Sequence, residues 1–146
     1  MVNKVIIAMA FDFGITNIGI AIGQSITYTA QPVTTLKTNY GIPIWNKLIP
    51  LVNIWSPNIL IVGLPINMDN NEQNITIKAR NFANLLNNKF NISVELHDER
   101  LTTKEARLLL KNKHYKTNKI KIDIINQLSA VLILESWFRK KFFKYY

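Results

Sequence analysis

The strongest constraint on the fold is a short apolar run, Val5 to Phe11, that stops abruptly at the polar turn Asp12-Phe13-Gly14-Ile15-Thr16-Asn17. A run this short, with β-branched residues, reads as a buried strand. Ile18 to Ile22 reads as a second strand, and Ile26 to about Thr38 as a third, rich in Thr, Val and Tyr. Three strands so close in sequence suit an antiparallel meander. Apolar residues then recur at helical spacing at Ile44, Leu48, Leu51 and Trp55, predicting a helix from Pro43 to Trp55. Pro43 fits its first turn, and Pro50 is expected to kink it or end it early.

Ile59 to Val62 reads as a buried strand closed by Gly63-Leu64-Pro65, and a polar loop follows from Asn67 to Asn74. Ile75 to Phe90 has Ala79, Phe82, Ala83 and Leu86 on one face of an amphipathic helix. Ile92 to Leu96 reads as another strand. Thr102 or Thr103 is placed to cap a short helix. A basic, structureless stretch is expected from about Lys111 to Lys121, and a last helix from near Asp123 to Phe138 or beyond. The order βββ-α-β-α-β-α-α predicts an α/β fold. It would have one mixed five-stranded sheet, a β1-β2-β3 meander plus parallel strands, with helices on both faces. Such a sheet presents ligand sites at the carboxyl ends of its parallel strands.

The 146 residues support one domain over 1–146 with a real core. The absence of cysteine excludes a disulfide framework and thiolate zinc sites. His97 and His114 are too few and too far apart for a His-rich metal site. Apolar stretches fall short of a membrane span. The start only imitates a signal peptide, because Asp12 and two glycines follow and no small-residue cleavage site appears. The expectation is a cytoplasmic protein with no membrane partner.

The net charge of +9 is uneven. Residues 1–100 hold 7 Lys/Arg and 6 Asp/Glu, and residues 101–146 hold 11 and 3. A one-sided basic region is the footprint of a phosphate-backbone binder. A drift toward Lys in an AT-rich genome reads equally well, since Asn alone occurs 18 times. Acids are scarce, so their placement is informative. Asp12 ends the first strand, Asp98 and Glu99 follow the last one, and Asp123 opens the last helix. Carboxylates gathered from separate elements need a cation between them, and hard oxygen ligands select Mg²⁺ or Mn²⁺. Such sites activate water for phosphodiester cleavage. Singly, each acid also suits ordinary turn chemistry or a loop ion pair.

Four segments resemble the YqgF/RuvX family of Holliday-junction-resolvase-like proteins in the RNase H-like superfamily. They are Phe11-Asp12-Phe13-Gly14 with Ile18-Gly19; Val62-Gly63-Leu64-Pro65 with Asn67-Met68-Asp69; His97-Asp98-Glu99-Arg100-Leu101-Thr102-Thr103 with Glu105-Ala106; and Ser129-Ala130-Val131-Leu132-Ile133-Leu134-Glu135-Ser136. The resemblance covers nearly the whole chain in order. It implies an RNase H-like fold and a cytoplasmic nuclease that matures the 5′ end of pre-16S rRNA, with branched DNA as the alternative substrate. It implies Asp12 and Glu99 as metal-binding acids, and a third acid in the last helix, five residues before Val131.

That third position is Asn126. An amide offers one oxygen to a metal but no negative charge. Asp123 lies about one helical turn earlier, on a similar face, and stands as the alternative ligand. Gapless alignment favours Asn126, and the neighbourhood Lys121-Ile122-Asp123 favours Asp123. A second departure is in the first turn, where Ile15 and Thr16 stand in place of the family's Thr and basic residue. Lys78, Arg80 or Arg100 is left to supply that charge.

Further substrate-binding candidates are Gly14, Asn67, Arg100, Lys119 and Lys121. Gly14 is better explained by backbone geometry, while Asn67 is equally explained by turn stabilisation and Arg100 by pairing with Asp98. Trp45, Trp55 and Trp137 follow helical apolar faces and read as core. The tail from Phe138 to Tyr146 mixes basic and aromatic residues that either clamp RNA or fray. The leading expectation is a metal-dependent nuclease, monomer or weak homodimer. The competing one is an RNA-binding ribosome-assembly factor whose site has decayed. A phosphate-turn ATPase also fits Asp12 to Thr16, but such folds need two domains.

Overall fold

Side-chain size alternates in Ala8-Met9-Ala10-Phe11 and again in Gly19-Ile20-Ala21-Ile22-Gly23, and this alternation decides which helix lies on which face. The computed structural model describes residues 4–64, 74–98 and 119–143. Along them run β1 (Ile7–Asp12), β2 (Asn17–Gln24), β3 (Thr29–Asn39), β4 (Ile42–Pro43), α1 (Trp45–Trp55), β5 (Ile59–Leu64), α2 (Asn74–Phe90), β6 (Ser93–Asp98) and α3 (Lys119–Phe142). The short helix expected after Thr102 or Thr103 lies outside the described residues.

The strands form one sheet in the order β4-β3-β2-β1-β5-β6. The meander pairs antiparallel, β1 with β2 and β2 with β3, while β5 runs parallel to both β1 and β6. β1 is therefore central, and Ala8 to Phe11 are wholly buried. The large side chains Met9, Phe11, Ile20, Ile22, Leu60 and Val62 cover one face. They pack on Leu48 and Val52 of α1 and on Phe82 and Leu86 of α2. Phe82 meets the Phe11 ring edge-on at 5.6 Å. Full burial of a ring of this kind stabilises by about 1.5–3 kcal/mol.

The small side chains leave the other face shallow, and α3 lies across it. Ala8 and Ala10 pack with Ile133, Leu134 and Trp137, and Ala21 packs with Ala130 and Val131. A β-carbon on Gly23 would stand 2.9 Å from the Phe138 ring and 3.0 Å from a Leu134 methyl. Helices thus cover both faces, as the element order predicts.

The sheet differs from expectation by one short strand. Pro43 is not in a helix but in β4, where Thr38 pairs with Pro43 and Asn39 with Ile42. Pro50 does not end α1, which continues to Trp55. Both Pro50 and Asn46, whose carbonyl loses its helical donor, are exposed, so water can serve that carbonyl. The third strand begins at Thr29 because the chain turns at Ser25–Tyr28, with Tyr28 at φ 57°. Pro32 is accommodated by a bulge. Ile20 pairs with Thr34 and Ala21 with Pro32, so Val33 is the extra residue. α3 starts at Lys119, which makes residues 119–121 helical rather than structureless.

Candidate functional site

Asp12 is the last residue of β1 and is 9% exposed. It shares the face of Ala8 and Ala10, under α3. In strand register it pairs with Gly19, and Gly19 pairs with Thr35. On the other side, Phe11 pairs with Val62 and Gly63 with His97. Continuing the first register by one residue sets Asp12 level with Gly63. A row Thr35–Gly19–Asp12–Gly63–His97 thus crosses five strands at the rim where β1, β5 and β6 end and β2 begins. The register positions of Asp12 on both neighbouring strands are glycines.

α3 seats on this row through its backbone. The Thr35 hydroxyl donates to the Asp123 carbonyl at 2.9 Å. A β-carbon on Gly19 would stand 2.0 Å from the Asn126 carbonyl oxygen and 2.9 Å from the Gln127 nitrogen. Asp123 therefore lies over β3 and Asn126 over β2, the strand next to Asp12. With strands about 4.8 Å apart, Asn126 is one spacing from Asp12 and Asp123 is two. Both side chains are half-buried. Of the two alternatives for the third ligand position, the helix crossing brings Asn126 closer.

At the far end of the row, His97 is 7% exposed and its Nε2 lies 2.8 Å from the Ser136 hydroxyl. Burial, with the positive charges of Lys140 and Arg139, lowers its pKa below 6.5, against Asp98 and Glu95, which raise it. The ring is neutral at pH 7. Next to it on the same face, the Trp137 indole donates to Glu95 at 2.7 Å. Trp137 and His97 are thereby engaged in seating α3. Trp45 packs on Phe90, and Phe138 and Phe142 cluster with Tyr28, so these aromatics belong to packing.

Asp98 ends β6 beside Leu64 and alternates onto the face away from α3. Glu99, Asn67 and Arg100 lie outside the described residues. Of Lys119 and Lys121 the backbone alone is described, as the start of α3. Gly14 has a structural need: a β-carbon there would stand 2.5 Å from the Asn17 carbonyl. Among the described residues no three His, Asp or Glu side chains gather as a metal cluster. Asp12 and Asn126 together offer hard oxygen donors, the set that suits Mg²⁺ or Mn²⁺.

Sequence reasoning missed Lys37. It pairs with Asn17, is exposed, and lies two residues past Thr35 on the same face. It stands beside the very turn that lacks a basic residue at Ile15 and Thr16. No local pattern marks it, because its place follows from strand register.

No described helix is long and apolar enough to cross a membrane. The profile of the RuvX family, described as Holliday junction resolvase, matches residues 6–140. A protein of Mannheimia succiniciproducens named "Putative pre-16S rRNA nuclease" is 53% identical over 137 residues, covering 92% of this chain and 96% of its own. Proteins of the same name from Haemophilus ducreyi and from Buchnera aphidicola of Schizaphis graminum are 52% and 47% identical. They cover 89% and 94% of this chain, and 94% and 99% of their own. Among solved structures, RuvC of T. thermophilus in complex with a Holliday junction substrate superposes with TM-score 0.56 at 14% identity, over 93% of this chain and 95% of its own. The Fowlpox virus resolvase with its junction DNA gives 0.54 at 16%, over 93% and 99%. These distant likenesses concern the RNase H-like fold. With a profile match over most of its length and relatives near half identity, this chain belongs to the RuvX family.

Proposed function

We propose that this protein is a metal-dependent nuclease that hydrolyses phosphodiester bonds and processes the 5′ end of pre-16S rRNA. The observation that carries the reading is Asp12, a nearly buried carboxylate between two glycine positions at the sheet rim, one strand from Gly19, which the turn of α3 bearing Asn126 crosses. The names of relatives about half identical support the substrate. Membership of a family described as resolvase supports a nuclease as the reaction class.

Asp12 and Glu99 would hold Mg²⁺ or Mn²⁺, and the Asn126 amide oxygen would complete the protein's share of the ligands. When bound, the metal supplies an activated water and screens charge on the phosphate. Asp12 is fixed in place at the end of β1, the central strand of the sheet. Burial under α3 keeps bulk water from the carboxylate and strengthens its attraction for a cation. Asn126 orients through its carbonyl oxygen but adds no charge, so the site holds its metal more weakly than one with an acid there. Asp123 is the less favoured ligand, since its helical turn lies over β3. The basic last third of the chain would track the phosphate backbone. We further read 1–146 as one cytoplasmic domain, monomeric or weakly dimeric.

The test is a cleavage assay in Mn²⁺ on a 5′-extended ribosomal RNA fragment and on a four-way DNA junction, with wild type, Asp12→Asn and Asn126→Asp in parallel. Cleavage of the RNA by wild type that is lost in Asp12→Asn supports the reading. Preference for the junction moves the substrate to branched DNA. RNA affinity with no cleavage by wild type or Asn126→Asp replaces it with a non-catalytic assembly factor, the reading that the missing charge at Asn126 favours.

A further inference from the structure

We propose that the β3–β4 hairpin is a stacking site for single-stranded nucleic acid, with Tyr40 as the platform for a base and Lys37 as the phosphate contact beside it. The inference rests on the phosphodiester reading above only in naming which part of the substrate strand is held here.

Tyr40 is 83% exposed, the most exposed large hydrophobic side chain among the described residues. It is the first central residue of a two-residue hairpin, with φ 52°, followed by Gly41 at φ 83°. Positive φ at both positions is the type I′ pattern, which favours Asn, Asp or Gly at the first. A bulky aromatic residue there is strained, and an exposed ring gains almost nothing from packing in return. Neither the turn nor the core accounts for a tyrosine at this position, whereas an open ring face is what base stacking uses.

The hairpin is held against the turn that follows Asp12. The Gly41 N–H donates to the Ile15 carbonyl at 3.0 Å and the Thr38 N–H to the Thr16 carbonyl at 2.9 Å. The Thr38 hydroxyl donates to the Ile15 carbonyl as well. Tyr40 lies five residues beyond Thr35, whose register row contains Asp12, and this is on the order of 16 Å along the strand. A strand with its scissile phosphate at Asp12 would meet the hairpin a few nucleotides away. Lys37 is exposed between them on the Asp12 face. Asp12 is the sole acid among residues 1–64, and Asp123 of α3 is the acid placed over β3, at Thr35.

The test is fluorescence anisotropy of a labelled single-stranded RNA of about 10 nucleotides in EDTA, alongside an abasic strand of the same length. Tyr40→Asn should weaken RNA binding roughly tenfold, Tyr40→Phe should retain it, and the abasic strand should show no difference between wild type and Tyr40→Asn. Lys37→Gln should reduce the slope of log affinity against log salt by about 0.7 on both strands. Tyr40→Asn should melt no lower than wild type, since Asn favours this turn, so lost affinity is not lost fold. Equal RNA affinity of wild type and Tyr40→Asn, an equal loss on the abasic strand, or no measurable wild-type binding overturns the proposal. Because EDTA suppresses metal-dependent cleavage during the binding measurement, Tyr40-dependent binding in EDTA together with no cleavage in the separate Mn²⁺ assay would sink the nuclease reading alone. Cleavage abolished by Asp12→Asn, with Tyr40 irrelevant to binding, would sink the stacking site alone.

Discussion

Gly19 and Asn126 approach so closely that a β-carbon on Gly19 would stand 2.0 Å from the Asn126 carbonyl oxygen. No side-chain rearrangement relieves such a contact, because the opposing atoms are helix backbone. Gly19→Ala must therefore push α3 off β2. It should cost at least 1–3 kcal/mol, roughly the range for overpacked cores. A lowered urea midpoint with loss of Asn126-dependent activity checks both consequences. An unchanged midpoint would mean that the helix does not sit there.

Asn126→Asp adds a carboxylate one strand spacing from Asp12. A unit charge 4 Å from a cation is worth about 4 kcal/mol at an effective dielectric of 20, so a tenfold gain in Mn²⁺ affinity asks for only part of it. The apparent metal constant in the cleavage assay should tighten by at least that factor. Asp123→Asn, over β3, should change it little. A larger effect of Asp123→Asn than of Asn126→Asp would reverse the assignment.

Ser129 is wholly buried on α3, and its hydroxyl has no hydrogen-bond partner among the described residues. Leaving a buried donor unmade is costly, and alanine is the better helix former. Ser129→Ala should stabilise the fold by about 1 kcal/mol, read as a raised melting temperature. Destabilisation would show that the hydroxyl is satisfied after all.

The depressed pKa of His97 sets the sign of a pH effect. Below about pH 6.5 the unfolded chain takes up a proton that the folded chain refuses, so stability falls as pH drops through that window. Above it both states are neutral and the contribution is flat. Melting scans between neutral and mildly acidic pH should show this slope, and His97→Gln should lessen it. An identical profile in the variant would remove His97 as the cause.

Much of the fold was legible because strands announce themselves by local pattern. β1, β2, β5 and β6 appear within a few residues of where apolar runs place them, and α2 where its apolar face predicts it. Boundaries failed where long-range contacts decide. Pro43 looks like a helix start, yet its place in β4 is set by pairing with Thr38. Ile26 looks like strand, yet the chain is turning there. The alternation of small and large residues in β1 and β2 was present in the sequence and is the signal that a close-lying helix covers one face. At the candidate site, the place of Asp12 at a strand end before a turn was legible from the apolar run and the glycine that follows it. The order of Asp123 and Asn126 across the sheet was not, because one turn of helix separates them and only the crossing angle tells which is nearer. Lys37 and Tyr40 reach the same rim through a hairpin folded back on residues 15 and 16, which no local pattern encodes.

The last helix is moored at this end by main-chain carbonyls, that of Asp123 on Thr35 and that of Asn126 against Gly19. Its anchorage is thus indifferent to which side group position 126 carries. Trading acid for amide at this spot retunes or silences the chemistry while leaving the main-chain contacts that moor the helix as they are.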